Sequence, residues 1–82
     1  MVTYLNEYCV REEVKDAEAI ATYYAVEKVV NALDEDAFMH VITVVGDYVW
    51  EGGRANANKA RALAKKLGFS LADMAVWYCL ED

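Results

Sequence analysis

The sequence predicts an all-α protein, a single compact domain over residues 1–82 built as a small bundle of four or five short helices. Apolar residues recur at three- and four-residue steps over most of the chain, the spacing of a helix side that faces a core. There is no proline, and three of the four glycines fall where such periodic segments end. With 82 residues, 57% of them hydrophobic, the chain can bury one modest core.

The first segment, from Thr3 to Val14, is open to two interpretations. A helix here would turn Leu5, Tyr8 and Cys9 inward. Its valine, threonine and tyrosines would equally suit a short β-like arm. We expect the helix, which would be the fifth of the bundle.

The next two helices have clearer patterns. Between Asp16 and Leu33 one side carries a periodic set of inward residues: Ala19, Thr22, Tyr23, Val26, Val30 and Leu33. The following helix begins at the cap residue Asp34 and ends at Gly52-Gly53. Its predicted core residues are Phe38, Val41, Ile42, Val45, Tyr48 and Val49. Gly46 lies inside this helix, at a cost of about 1 kcal/mol relative to alanine.

The last two helices complete the bundle. One is predicted from about Asn56 to Leu67, with Gly68 as the left-handed residue that closes it. Its inward residues are Ala60, Leu63, Ala64 and Leu67. Ser70 then caps a helix from Leu71 to about Leu80. That helix presents Leu71, Met74, Ala75 and Tyr78 as one stripe, bordered by Trp77.

The segment from Leu63 to Trp77 resembles the helix-turn-helix unit of bacterial and phage repressors. Ala64, Gly68, Met74 and Trp77 match the small, turn and apolar positions of that unit. The resemblance implies DNA binding, with phosphate contacts from the preceding basic helix: Arg54, Lys59, Arg61, Lys65 and Lys66. However, Leu71, Ala72 and Asp73 replace the polar residues that read base edges, so DNA binding is the alternative function. The basic side could instead be a solvated face that pairs with the acidic half.

Charge is divided unevenly along the chain. Residues 1–51 carry eleven acidic and three basic residues, a net of −8, whereas residues 52–82 carry three acidic and five basic residues, a net of +2. An acidic surface repels nucleic acid and anionic membranes and attracts positively charged proteins. We therefore expect a partner with a basic surface, with no direct contact to nucleic acid or membrane.

The acidic residues predict a binding surface. On the Asp16–Leu33 helix, Ile20, Tyr24 and Glu27 share a narrow wedge away from the predicted core, and acids preceding the helix extend it. Apolar residues framed by carboxylates are typical of protein-binding patches. The candidate partner-binding residues are Glu13, Asp16, Ile20, Tyr24, Glu27, Asp36, Asp47 and Glu51. Trp50 is a further candidate anchor. The competing interpretation packs Ile20 and Tyr24 under the N-terminal segment.

The sequence contains no motif that is typical of a catalytic or metal-binding site. His40 is the single histidine, and a metal or acid–base site needs convergent partners. Cys9 and Cys79 lie near opposite ends, without metal-ligand spacing, and we expect both to be buried thiols, a bridge between them being the alternative. We expect neither an enzyme nor a cofactor or metal.

The expected function is that of a small acidic module that docks on a larger, nucleic-acid-handling protein and inhibits or modulates it. Compact phage inhibitors, among them anti-restriction and anti-CRISPR proteins, are similar in size and charge. The alternative is a small helix-turn-helix transcription regulator. The absence of a long apolar run or a signal-like start predicts a cytoplasmic protein, in the host cytoplasm if phage-encoded. Either a monomer or a homodimer fits the sequence, the homodimer suiting the regulator. A third hypothesis is a structural or assembly subunit that self-associates through the Ile20 and Tyr24 face.

Overall fold

The computed structural model describes all 82 residues and contains four helices and one small antiparallel sheet. The helices are α1 (Ala17–Asn31), α2 (Glu35–Glu51), α3 (Arg54–Leu67) and α4 (Leu71–Cys79). The strands are β1 (Thr3–Leu5), β2 (Arg11–Glu13) and β3 (Leu80–Glu81), in the order β2-β1-β3. The mainly helical architecture agrees with the prediction, whereas the expectation of a purely all-α fold is wrong.

The N-terminal segment forms a β-hairpin instead of the expected helix. Its turn is held by Asn6, whose Oδ1 accepts hydrogen bonds from the backbone N–H groups of Tyr8 (2.9 Å) and Val10 (3.0 Å). An asparagine that satisfies nearby backbone donors competes with helix formation, and a helix this short is marginal by itself. Tyr8 is 78% exposed, and Leu5 and Cys9 are exposed as well, so their predicted inward position is also wrong.

The third strand joins the two ends of the chain. β1 pairs with β3 in antiparallel register, with Thr3 opposite Glu81 and Tyr4 opposite Leu80. Leu80 has extended backbone angles, so α4 ends at Cys79 and the chain continues as a strand. This pairing covers one edge of β1 while β2 covers the other.

The helix boundaries follow their caps. Asp16 caps α1 by accepting hydrogen bonds from Glu18 and Ala19, and Asp34 caps α2 by accepting one from Ala37. α3 begins at Arg54, two residues before the predicted start. Ser70 forms a capping box with Asp73 at the start of α4. Gly68 closes α3 with φ +89°, a left-handed conformation that favours glycine.

α4 is the central element of the core. It contacts α1, α2 and α3, although it has only nine residues. Met74 is fully buried and Trp77 is 5% exposed. The core cluster joins all four helices and the residue before β1: Val2, Tyr23, Val26, Val30, Val41, Val45, Ala64, Met74 and Trp77. None of the four helices combines the length and the hydrophobicity that a bilayer span requires.

Gly46 allows α2 and α4 to approach closely. A Cβ atom at this position would lie 2.9 Å from Tyr78 Oη and 3.3 Å from Cζ of the same ring. Because real Cβ atoms do not approach an oxygen this closely, the tyrosine would have to move. The close packing of Tyr78 therefore accounts for a glycine inside a helix.

The substitution Gly46→Ala should reveal this contact. Alanine gains about 0.5–1 kcal/mol of helix propensity, but overpacking costs about 1–3 kcal/mol, so we expect a lower free energy of unfolding in urea. In a Tyr78→Phe background, which lacks the hydroxyl, alanine should be tolerated better by about 1 kcal/mol. Tyr48→Phe is the control background and should leave the effect of alanine unchanged. Equal effects of alanine in all three backgrounds would contradict this account.

Candidate partner-binding site

The acidic surface predicted on α1 is largely engaged within the protein. Glu27 is half-buried and accepts a hydrogen bond from Trp77 Nε1 at 2.5 Å and another from Asn31 at 3.0 Å. Ile20 packs against the core instead of lying opposite to it. Tyr24 is 46% exposed and donates to the Asp82 carboxylate at 2.8 Å. The helix thus turns this wedge toward α4 and the last residues of the chain.

Two further carboxylates of the predicted surface have separate positions. Asp16 is the N-cap of α1, so its carboxylate is occupied by backbone N–H groups. Glu13 is exposed at the end of β2 and forms no side-chain hydrogen bond.

The pKa of Asp82 is lowered by hydrogen bonds from the N-terminal ammonium and from Tyr24. The same hydrogen bond raises the pKa of the Tyr24 hydroxyl.

The predicted acidic residues of α2 do not form one patch. Asp36 lies in the first turn and Glu51 is the last residue of the helix, so their Cα atoms are about 22 Å apart at 1.5 Å rise per residue. Asp47 lies one turn before Glu51, and all three residues are exposed. The carboxylates of α2 are therefore divided between the two ends of the helix.

The basic residues of α3 are not neutralised by these carboxylates. All five of them are exposed, and none takes part in an ion pair: Arg54, Lys59, Arg61, Lys65 and Lys66. Arg61 donates to Asn58 at 3.0 Å, which is a contact within α3. The protein contains two ion pairs, Met1 with Asp82 and Arg11 with Glu81, both near the sheet. The interpretation in which the basic face pairs with the acidic half is therefore wrong.

The structure forms a cleft that the sequence did not predict. It has a volume of about 550 Å³ and lies between the β-hairpin and the last turns of α2 and α4. The hairpin contributes Leu5 and Cys9, α2 contributes Val49 and Trp50, and α4 contributes Tyr78. A volume in this range is typical of binding pockets. We call this feature the terminal cleft.

Trp50 is the most exposed aromatic residue of the terminal cleft. Its side chain is 77% exposed, and its Nε1 donates a hydrogen bond to Tyr78 Oη at 3.1 Å. Leu5 and Val10 of the hairpin are also about half exposed, at 50% and 55%. A large aromatic ring that is fixed by a hydrogen bond and left open to solvent is typical of an interface anchor.

The charges around the terminal cleft are mostly negative. Glu7 and Glu81 line it, and Glu51 follows Trp50 directly. α2 and α4 both end there, and neither has a basic residue in its last turn. A helix C-terminus carries about half a negative charge and attracts cations. At the end of α2 the neutral amide of Asn56 donates to the carbonyls of Asp47 and Gly52. Arg11 is the one cation that lines the cleft, and it is paired with Glu81.

Both cysteines line the terminal cleft as free thiols. Cys9 and Cys79 are exposed, so the expectation that both are buried is wrong, and the structure contains no bridge between them. Their common location results from the β1–β3 pairing, which brings the ends of the chain together. Partial burial of the sulfur still raises the pKa of the Cys79 thiol.

The remaining motifs do not add a second site. His40 is exposed on α2, and no group of three or more His, Cys, Asp or Glu side chains could hold a metal ion. α4 corresponds to the second helix of the segment that resembles a helix-turn-helix, and its only exposed residues are Ala72 and Cys79. Neither side chain is suited to reading base edges. Absence of catalysis and the helix-turn-helix resemblance both stay predictions.

Comparison with known protein families, curated proteins and solved structures finds no match for this chain. The geometry of the terminal cleft is therefore the basis for a functional proposal.

The raised pKa of Cys79 should be visible in its alkylation. In a Cys9→Ser variant, the pH midpoint for iodoacetamide alkylation of Cys79 should be higher in the folded protein than in urea. The reason is that burial disfavours the thiolate, which is the reactive form. Mass spectrometry at timed intervals gives the rates, and the Cys79→Ser variant reports on Cys9. A midpoint that does not change on unfolding would contradict the shielding of Cys79.

Proposed function

We propose that this protein is a small acidic protein-binding module that docks on a basic surface of a larger protein and inhibits or modulates it. The observation that carries the proposal is the terminal cleft, where the exposed ring of Trp50 lies among carboxylates and beside the ends of two helices that have no basic side chain in their last turn. Apolar groups at the centre would supply affinity, and the surrounding charge would supply attraction and orientation. No ion pair engages the exposed carboxylates of Glu7, Asp36, Asp47 and Glu51.

The larger protein in this proposal handles nucleic acid. Proteins of that class have basic surfaces that bind phosphates, and a carboxylate-rich module can compete for them. The net charge of −6 favours this competition at low salt. A phage-encoded inhibitor of anti-restriction or anti-CRISPR type would act in this way.

Salt-dependent capture tests the proposal. We expect immobilised protein to retain basic, nucleic-acid-binding proteins from nuclease-treated bacterial lysate at low salt and to release them at high salt. Trp50→Ala should reduce this capture at least fivefold, since aromatic anchors dominate interface energies. Met39→Ala is the matched control, because Met39 is an exposed apolar residue of the same helix, outside the cleft. Capture that is insensitive to salt, or equally reduced by both variants, would count against the proposal.

The transcription regulator remains the alternative, favoured by the five exposed and unpaired cations of α3. A regulator would shift short duplex DNA in gels at low salt and lose the shift on Arg61→Glu with Lys65→Glu. We expect neither the unmodified protein nor this double variant to shift DNA, because the preferred function needs no DNA contact. A shift that these two substitutions abolish would replace the module by the regulator. Light scattering of the same samples distinguishes a monomer from a homodimer.

A further inference from the structure

We propose that the terminal cleft is a binding site for an arginine side chain of the partner, which places its guanidinium between the ends of α2 and α4 and against the indole of Trp50. This inference rests on the proposed function and specifies the site and the chemical group that it binds. Neither the acidic wedge on α1 nor the first turn of α2 offers a comparable combination of concavity, aromatic surface and negative charge.

Two helices supply the preference for a cation. The last turn of α2 contributes Val49 and Trp50 to the cleft, and the last turn of α4 contributes Tyr78 and Cys79. The final carbonyl groups of a helix lack intrahelical donors, and neither helix has a basic side chain in its last turn. At the end of α2, the neutral amide of Asn56 donates to the carbonyls of Asp47 and Gly52, which leaves the negative end of the helix without a cation from its own last turn. A cation at the junction would interact favourably with both C-termini.

The carboxylates of the cleft complete an arginine-binding arrangement. Glu7 lies in the hairpin turn and forms no side-chain hydrogen bond, and Glu81 lies on β3. Both are exposed, so a partner can reach them. A guanidinium has five donors in a planar fork, which suits simultaneous contact with carboxylates and backbone carbonyls.

Trp50 favours arginine over lysine. Guanidinium groups stack on aromatic rings and are less strongly hydrated than ammonium groups. The hydrogen bond from Nε1 to Tyr78 Oη restrains the indole at the cleft, while 77% of the residue remains exposed. A restrained ring loses little conformational freedom when a ligand packs on it.

The protein's own Arg11 already contributes a guanidinium to the lining of the cleft. Arg11 lines the cleft, and its Nη2 pairs with Glu81 Oε2. Both side chains are about half exposed or more, at 48% and 65%, so the pair is weak and exchangeable. An incoming arginine would therefore compete with Arg11 for Glu81. Removal of Arg11 should strengthen binding, whereas removal of Glu81 should weaken it.

Titration with defined peptides tests this inference without knowledge of the partner. The probe is a short glycine–serine peptide that carries arginines, and matched peptides carry lysines or glutamines instead. Tryptophan emission reports on Trp50, because Trp77 is only 5% exposed. Backbone amide NMR shifts identify the residues that respond. We expect the arginine peptide to bind more tightly than the lysine peptide, the glutamine peptide not to bind, and the shifted amides to lie in the hairpin and the last turns of α2 and α4.

Variants with matched controls separate the cleft from general acidity. Trp50→Ala should weaken arginine-peptide binding about threefold to tenfold, and Met39→Ala should not. Arg11→Gln should tighten binding at least twofold more than Lys15→Gln, which removes the same charge from an exposed residue outside the cleft. Glu81→Gln and Glu7→Gln should each weaken binding more than Glu18→Gln, an exposed position in the first turn of α1.

The outcomes distinguish this inference from the proposed function. If the peptide binds but Trp50→Ala has no effect, or Arg11→Gln behaves like Lys15→Gln, the arginine site is wrong while the acidic module stands. If no cationic peptide binds although proteins are still captured in a salt-dependent way, the arginine site is wrong and the proposed function stands. If salt-dependent capture also fails, the proposed function falls with it. Equal affinity for the lysine and arginine peptides would overturn the preference for a guanidinium.

Discussion

The structure depends on the burial of α4, a short helix that must be covered on nearly every side. Its nine residues include one acidic side chain, Asp73, which is used in the capping box, and the rest are apolar or aromatic. Full burial of a methionine or similar side chain contributes about 1.5–3 kcal/mol, so covering Met74 and Trp77 is a strong driving force. The burial of these two residues brings α1, α2 and α3 into contact with α4.

The same burial explains the positions of several polar groups. Trp77 brings an indole N–H into the interior, and such a donor needs a partner, which Glu27 provides. The carboxylate of Glu27, which the sequence predicts as a partner-binding group, is thus part of the core boundary. Tyr24 has a comparable role at the surface through its hydrogen bond to Asp82. Because these side chains of α1 form contacts within the protein, the candidate interface lies at the terminal cleft and not on α1.

The position of the terminal cleft is a consequence of where α4 ends. The chain continues from α4 directly into β3. β3 pairs with β1 and holds the hairpin beside the ends of α2 and α4. The ends of two helices and the carboxylates of Glu7 and Glu81 meet there as a consequence of this geometry. The basic side chains of α3 remain in solvent and form no ion pair with those carboxylates. An uneven charge along the sequence becomes, in part, an uneven charge in space.

The sequence by itself determined the four helices, their caps at Asp34 and Ser70, and most of the core, because periodicity and capping are local properties. Trp50 was also recognisable as a candidate anchor. The local signals of the first segment left helix and β-like arm both open, and the structure decided for the hairpin. Only the tertiary structure decided the third strand, the common location of both cysteines and the terminal cleft, since these depend on Thr3 pairing with Glu81, at the other end of the chain. A contact between residues so far apart in the sequence leaves no local pattern in the sequence. The contact of Glu27 with Trp77 could not be predicted for the same reason.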